Sequence, residues 1–160
     1  MAAMQLELFK HDLIRLNWEV DDRQEFFERI AAELLWAGYI RESFCEALVE
    51  RERKYPTALP ISPEAVAIPH SDVEHIIKPF IAPVRLTTPI AWREMGNDDV
   101  VHPVRFVFVL GFTQEDRHVE VLQILLQAFQ DPCFMERLGR AQTPDEYYRV
   151  LSAMDGLRDA

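Results

Sequence analysis

The sequence predicts an α/β fold in which one mixed sheet is covered by helices. Three observations carry this. An apolar stripe at three- and four-residue spacing marks a helix in the first third of the chain. Val104 to Leu110 is an unbroken β-branched and aromatic run, which reads as a strand. Helical and strand patterns then alternate along the chain, as a layered α/β domain requires. The 160 residues, 49% hydrophobic and 28% charged, suit one domain over 1–160, with its core over about 13–154. No repeat, low-complexity tract or domain linker interrupts it.

Each element follows from local chemistry. The first ten residues read as an irregular start. Leu13, Ile14 and Leu16 predict a short strand before Asn17. Asp21 or Asp22 caps the first helix, with Glu25 placed to complete a capping box. Phe26, Phe27, Ile30, Ala31, Leu34 and Leu35 form its apolar stripe, and Gly38 stops it. A second helix is expected from about Arg41 to Arg53, with Phe44, Cys45, Leu48 and Val49 on its apolar face. Pro56, Pro60 and Pro63 impose an irregular loop, because proline fixes φ and lacks a donor. Ala65 to Ile68 predicts a buried strand ended by Pro69.

Phe80 to Leu86 predicts another strand, which Pro83 places at an edge or a bulge. Thr88 to Asp99 reads as a polar turn region, before the strand Val104 to Leu110. Helices are expected from about Asp116 to Gln130, from Asp131-Pro132 to about Leu138, and from Thr143-Pro144 onward. In the last, threonine caps and proline suits the first turn.

Lys and Arg total 17 against 27 Asp and Glu, a formal charge of −10. That argues against nucleic acid or an anionic membrane surface as partner, since both need positive patches. No apolar run approaches the roughly 18 residues of a membrane span, and no signal peptide is apparent at the start. The two cysteines, Cys45 and Cys133, lie far apart in apolar helical patterns. They read as buried reduced thiols, so a cytoplasmic location is expected.

Five histidines are present, and only context separates them. His70 follows an apolar strand and a proline, which sets its imidazole at the carboxyl edge of a sheet. Ligand sites of open α/β sheets lie there. A histidine that merely closes a strand is the plainer reading. His118 opens a helix after the strongest strand. Leu122, Leu125 and Phe129 share its spacing, so it either begins the buried stripe or faces the same edge as His70. A helix start there favours an anion. One imidazole could then take a phosphoryl group as nucleophile while the other holds its oxygens. Arg51 ends the second helix, where the dipole favours a cation. Its planar fork would also complete a phosphate clamp. His70 and His75 with Asp72 could be imagined around a metal, but no paired metal-ligand motif exists, so no metal or cofactor is expected. Glycine-rich phosphate loops and a serine elbow are absent. His11 and His102 read as solvated turn residues.

In order along the chain stand Arg51-Glu52, Pro56-Thr57, Ala67-Ile68-Pro69-His70 and His118-Val119. In this ordered set the sequence resembles the enzyme IIA domains of the fructose–mannitol class of the bacterial phosphoenolpyruvate-dependent sugar phosphotransferase system. It looks most like the galactitol-type branch. The resemblance covers about Arg23 to Leu151. It implies a mixed five-stranded sheet flanked by helices. It also implies that His70 is phosphorylated by the histidine phosphocarrier protein and passes the group to a cysteine of enzyme IIB. The membrane component enzyme IIC is then an indirect partner. His118 would match the auxiliary histidine and Arg51 the phosphate-stabilising arginine. Ser71 stands where glycine or cysteine is common, and Ala58-Leu59-Pro60 where glycine is usual. Relatives tied to nitrogen regulation share the motif, so a regulatory module using His70 as a switch is the alternative. The docking of two partners at one histidine calls for an apolar rim, for which Ile61, Val73, Ile76 and Ile77 are candidates.

Overall fold

Side-chain alternation along the last strand shows where the cores lie. In β5 (Asn97–Gly111), Val107 and Val109 point into one apolar cluster, and Phe106, Phe108 and Leu110 into another. A strand buried on both faces needs helices on both sides. The computed structural model describes residues 7–114 and 118–154, and it has this three-layer arrangement.

The first core forms under α1 (Arg23–Trp36) and α2 (Phe44–Lys54), through Phe26, Ile30, Leu34, Phe44 and Leu48. The second lies under α3 (His118–Phe129), α4 (Pro132–Arg140) and α5 (Pro144–Ser152), through Leu125, Phe129, Leu138, Tyr147 and Leu151. Each such fully buried large side chain contributes about 1.5–3 kcal/mol. The sheet between them has five strands: β1 (Arg15–Trp18), β2 (Ala58–Leu59), β3 (Val66–Ala67), β4 (Phe80–Glu94) and β5. β1 is parallel to β4, β4 antiparallel to β5, β5 parallel to β3, and β3 antiparallel to β2. At the far end of β4, Glu94 meets Ala58 of β2. The sheet is therefore mixed, as expected.

The helix ends follow from their caps. Asp22 accepts the Glu25 N–H at 2.9 Å, and Glu25 accepts the Asp21 N–H at 2.8 Å, which closes the expected box around α1. At the other end Tyr39 N–H reaches the Leu34 carbonyl and Gly38 N–H the Leu35 carbonyl, with Gly38 at φ +86°. This two-bond closure needs a left-handed residue, hence glycine. Asp131 caps α4 through the Cys133 N–H, and Thr143 caps α5 through the Glu146 N–H.

Several expectations need correction. The Thr88–Asp99 stretch is not a turn region. β4 and β5 form one long hairpin, with the turn confined to Met95 and Gly96 and Ile90 and Trp92 buried. Exposed Thr87, Thr88 and Pro89 mark a register irregularity between Arg85 and Ile90, which absorbs the proline. Pro83 is not at an edge, because β4 has β1 on one side and β5 on the other. It sits in the gap between the Phe9–Ile81 bridge and the Arg15–Val84 pair, where a donor is not needed.

The first strand starts at Arg15, after a 3₁₀ turn over His11–Leu13. Phe9 is buried rather than part of a loose start. β2 lies inside the proline loop that was expected to be irregular throughout. α2 begins at Phe44 rather than Arg41. The expected start of α3 at Asp116 lies outside the described residues. Cys45 is half-buried and Cys133 is exposed, so only the first packs at all, and both are free thiols. His102 is a strand residue paired with Glu94 at 2.8 Å, and His11 contacts Asp145.

One contact ties the core to the end of β5. Phe80 pairs across the sheet with Gly111, and its ring covers the glycine so closely that a Cβ there would fall inside it. Gly111→Ala should therefore destabilise the protein by about 1–3 kcal/mol, the usual cost of overpacking. Thermal melting checks this. A fall of roughly 2–4 °C per kcal/mol is expected for a chain of this size.

Candidate active site

Pro69 is the start of the site. It lacks an N–H and holds Ile68 in extended backbone, so the chain leaves β3 without curling. Its carbonyl accepts the Leu110 N–H at 3.0 Å. His70 then pairs with Leu110 in a parallel bridge. The imidazole is thereby set at the carboxyl ends of β3 and β5, where the sequence placed it. The ring is half-buried.

The ring is also oriented. His70 Nδ1 lies 2.9 Å from the Ile68 carbonyl oxygen. A carbonyl only accepts, so Nδ1 donates. In a neutral ring the lone pair is then on Nε2, which is the nucleophilic nitrogen.

The segment after His70 is pinned to the α2 side. Ser71 is buried, and its hydroxyl donates to the Asp72 carbonyl at 3.0 Å. Arg51, in the last turn of α2, donates from Nη1 to the Asp72 carboxylate at 3.2 Å. Its Nε is buried with no hydrogen-bond partner among the described residues. The guanidinium also lies over the Tyr55 ring, 5.6 Å from its centre. His75 does not turn toward His70 in a metal-like cluster. Its Nδ1 meets Ser43 Oγ at 2.8 Å. Arg51 is thus brought to the residue two places after His70. His118 opens α3 beyond the end of β5, and its side chain lies outside the described residues.

The sequence names two further residues here without assigning either its environment. Glu52, beside Arg51, is 2% exposed. Its carboxylate accepts the Thr57 N–H at 2.8 Å, the Thr57 hydroxyl at 2.7 Å and the Trp92 indole N–H at 2.8 Å. Burial pushes this carboxyl above its usual range, and the three hydrogen bonds pull the other way. Within a charged run at a helix end, an acid reads as solvated. The signal was threonine five residues later, within reach of a turn back. Asp72 is the second, with no motif to mark it. Among the rim candidates, Ile76 is buried in the first core and so is not a docking residue. Ile77 is 47% exposed, and Ile61 and Val73 are half-buried.

A strand-end histidine with an oriented ring, a neighbouring guanidinium and a soft rim can accept and release a small anionic group. The family model described as "Phosphoenolpyruvate-dependent sugar phosphotransferase system, EIIA 2" matches residues 7–154. Over 117 residues the chain is 28% identical to the galactitol-specific EIIA component of Escherichia coli K12, covering 73% of this chain and 77% of that protein. Over 115 residues it is 27% identical to the nitrogen regulatory protein of the same strain, covering 71% and 68%. Its fold matches the mannitol enzyme IIA of Escherichia coli, solved in complex with phosphorylated mannitol enzyme IIB. The TM-score is 0.72 at 22% identity, covering 90% and 96%.

Proposed function

Because this chain belongs to the EIIA 2 family of the phosphoenolpyruvate-dependent sugar phosphotransferase system, we propose that it carries a phosphoryl group on Nε2 of His70. The donor is the histidine phosphocarrier protein, and the acceptor is a cysteine of an enzyme IIB partner, which feeds a membrane enzyme IIC. The observation that carries this reading is the Nδ1–H donated to the Ile68 carbonyl. It leaves Nε2 with the lone pair before the donor arrives. The Nε2–phosphorus bond then forms as the donor's phosphorus–nitrogen bond breaks. The ring becomes cationic, and the Ile68 carbonyl faces the Nδ1–H that carries much of that charge. On transfer to a thiolate the phosphorus–nitrogen bond breaks, and the electron pair returns to Nε2.

In this reading Arg51 and His118 stabilise the phosphoryl oxygens. The similarity to the galactitol-specific component supports galactitol as the sugar. The complex in which a related fold binds phosphorylated enzyme IIB supports the IIB partner. Among the described residues no helix is long and apolar enough to cross a membrane.

A regulatory reading rests on the nitrogen regulatory relative, in which His70 phosphorylation would serve as a switch. One reconstitution separates the two. The protein is incubated with phosphoenolpyruvate, enzyme I, the phosphocarrier protein and a galactitol-type enzyme IIB. Phosphate on His70 and then on the IIB cysteine is the expected result. Phosphate that reaches His70 and goes no further would favour the switch. No acid-labile phosphate on His70 would overturn both.

Asp72 gives a smaller test. Its carboxylate competes with a phosphoryl group for Arg51 and repels the incoming negative charge. Asp72→Asn should shift the phosphorylation equilibrium toward the loaded protein. The Asp72 carboxylate is exposed, so the pair is worth about 0.2–1 kcal/mol, up to about fivefold. Phosphorus NMR of the equilibrium mixture measures it.

A further inference from the structure

We propose that Glu52 is a positioning residue for His70, acting through Thr57 and Ile68 to set which ring nitrogen carries the proton. The inference rests on the reading of His70 as the phosphoryl acceptor.

The path is continuous. Glu52 holds Thr57 by its N–H and its hydroxyl. The Thr57 carbonyl accepts the Ile68 N–H at 3.2 Å. The Ile68 carbonyl accepts His70 Nδ1–H at 2.9 Å. Each of the two intermediate residues turns its donor toward Glu52 and its acceptor toward His70. The N–H and the carbonyl of one residue belong to different peptide units. The link therefore acts through position and not through polarisation of a single amide. Pro69 makes position decisive, because it restricts Ile68 to extended backbone. With that torsion confined, the direction of the Ile68 carbonyl follows from what holds the Ile68 N–H.

Glu52 is anchored from the other side as well. Trp92, fully buried in β4, donates its indole N–H to the same carboxylate. Packing alone would be served more cheaply by an apolar residue of this size, since a buried carboxylate carries a large desolvation cost. What an apolar residue lacks is an acceptor for three donors converging on one point.

The role is one of geometry, so glutamine should replace glutamate. Its amide oxygen can accept from the Thr57 and Trp92 N–H groups, and its NH₂ can donate to the Thr57 hydroxyl oxygen. Methionine has the length without the acceptor. The experiment reads the ¹⁵N shifts of the His70 ring in the unphosphorylated full chain, held above the pH at which the ring titrates. Phosphoryl uptake rates are measured in parallel.

Wild type and Glu52→Gln should both show the proton on Nδ1. Glu52→Met should show it spread over both nitrogens, with uptake slowed roughly tenfold, as for other outer supports of a reacting group. A folded Glu52→Met with the wild-type ring signature and rate would overturn the proposal. If that variant does not fold, Thr57→Val removes the hydroxyl bond alone and should shift the ring partway. An unchanged ring in Thr57→Val would then overturn it. The ring is read without any phosphoryl donor. Failure of the wild type to take up phosphate would therefore sink the functional reading and leave the Glu52 test intact.

Discussion

His70→Ala should take up no acid-labile phosphate from the phosphocarrier protein, and it should melt close to the wild type. The first half follows because the proposed reading makes His70 the acceptor and gives His118 only a supporting role. His75 is turned to Ser43, His11 pairs with Asp145, and His102 pairs with Glu94 across the β4–β5 hairpin. The second half follows from the fold. The His70–Leu110 bridge and the Pro69 carbonyl bond are made by backbone, which alanine keeps. Alanine loses the Nδ1 bond to the Ile68 carbonyl, at a net cost of about 0.5–1.5 kcal/mol. Mass spectrometry at neutral pH with a phosphoenolpyruvate-driven donor gives the first quantity, and thermal melting the second. Phosphate uptake by the alanine variant at the wild-type rate would remove His70 from the mechanism.

Arg51→Ala and His118→Ala should still be phosphorylated, but should pass the group to enzyme IIB about 10²–10³ times more slowly. In the proposed reading each variant lacks one donor to the phosphoryl oxygens, and such a donor is worth about 2.7–4 kcal/mol in the transition state. For Arg51 the structure adds a reason. Its Nε is buried without a partner among the described residues, while Nη1 is held by an exposed carboxylate that a phosphoryl group can displace. Arg51→Lys keeps the charge and loses the fork, so it should recover only part of the rate. Rapid-quench transfer to enzyme IIB measures all three. Wild-type rates in both alanine variants would exclude them from the reaction.

The parts of the fold that could be read from sequence are those whose signal is local. The Asp22–Glu25 box, the stripe from Phe26 to Leu34, Gly38 and the run Val104 to Leu110 each carry their own physics and stand in the structure as expected, whereas Leu35, expected in the stripe, is exposed. The long hairpin was not legible beyond Leu86. Thr87-Thr88-Pro89 has turn composition, and only cross-strand pairing carries the strand through it. The two-residue strand Ala58–Leu59 has no period of its own and exists because β3 and Glu94 flank it.

The site divides in the same way. The position of His70 at the sheet edge was legible because a strand, a proline and a histidine are adjacent in sequence. The place of Arg51 in the last turn of α2 was legible too. Glu52 and Asp72 owe their environment to partners far away in sequence or across a loop, Trp92 for the first and Arg51 for the second. No local pattern states that.

The most direct measurement is ¹⁵N and ³¹P NMR of the phosphorylated protein with ¹⁵N-labelled histidine. A phosphorus–nitrogen coupling to Nε2 of His70, with Nδ1 still protonated, is the predicted result. Coupling to Nδ1 of His70, or phosphate on any other residue, would contradict the account.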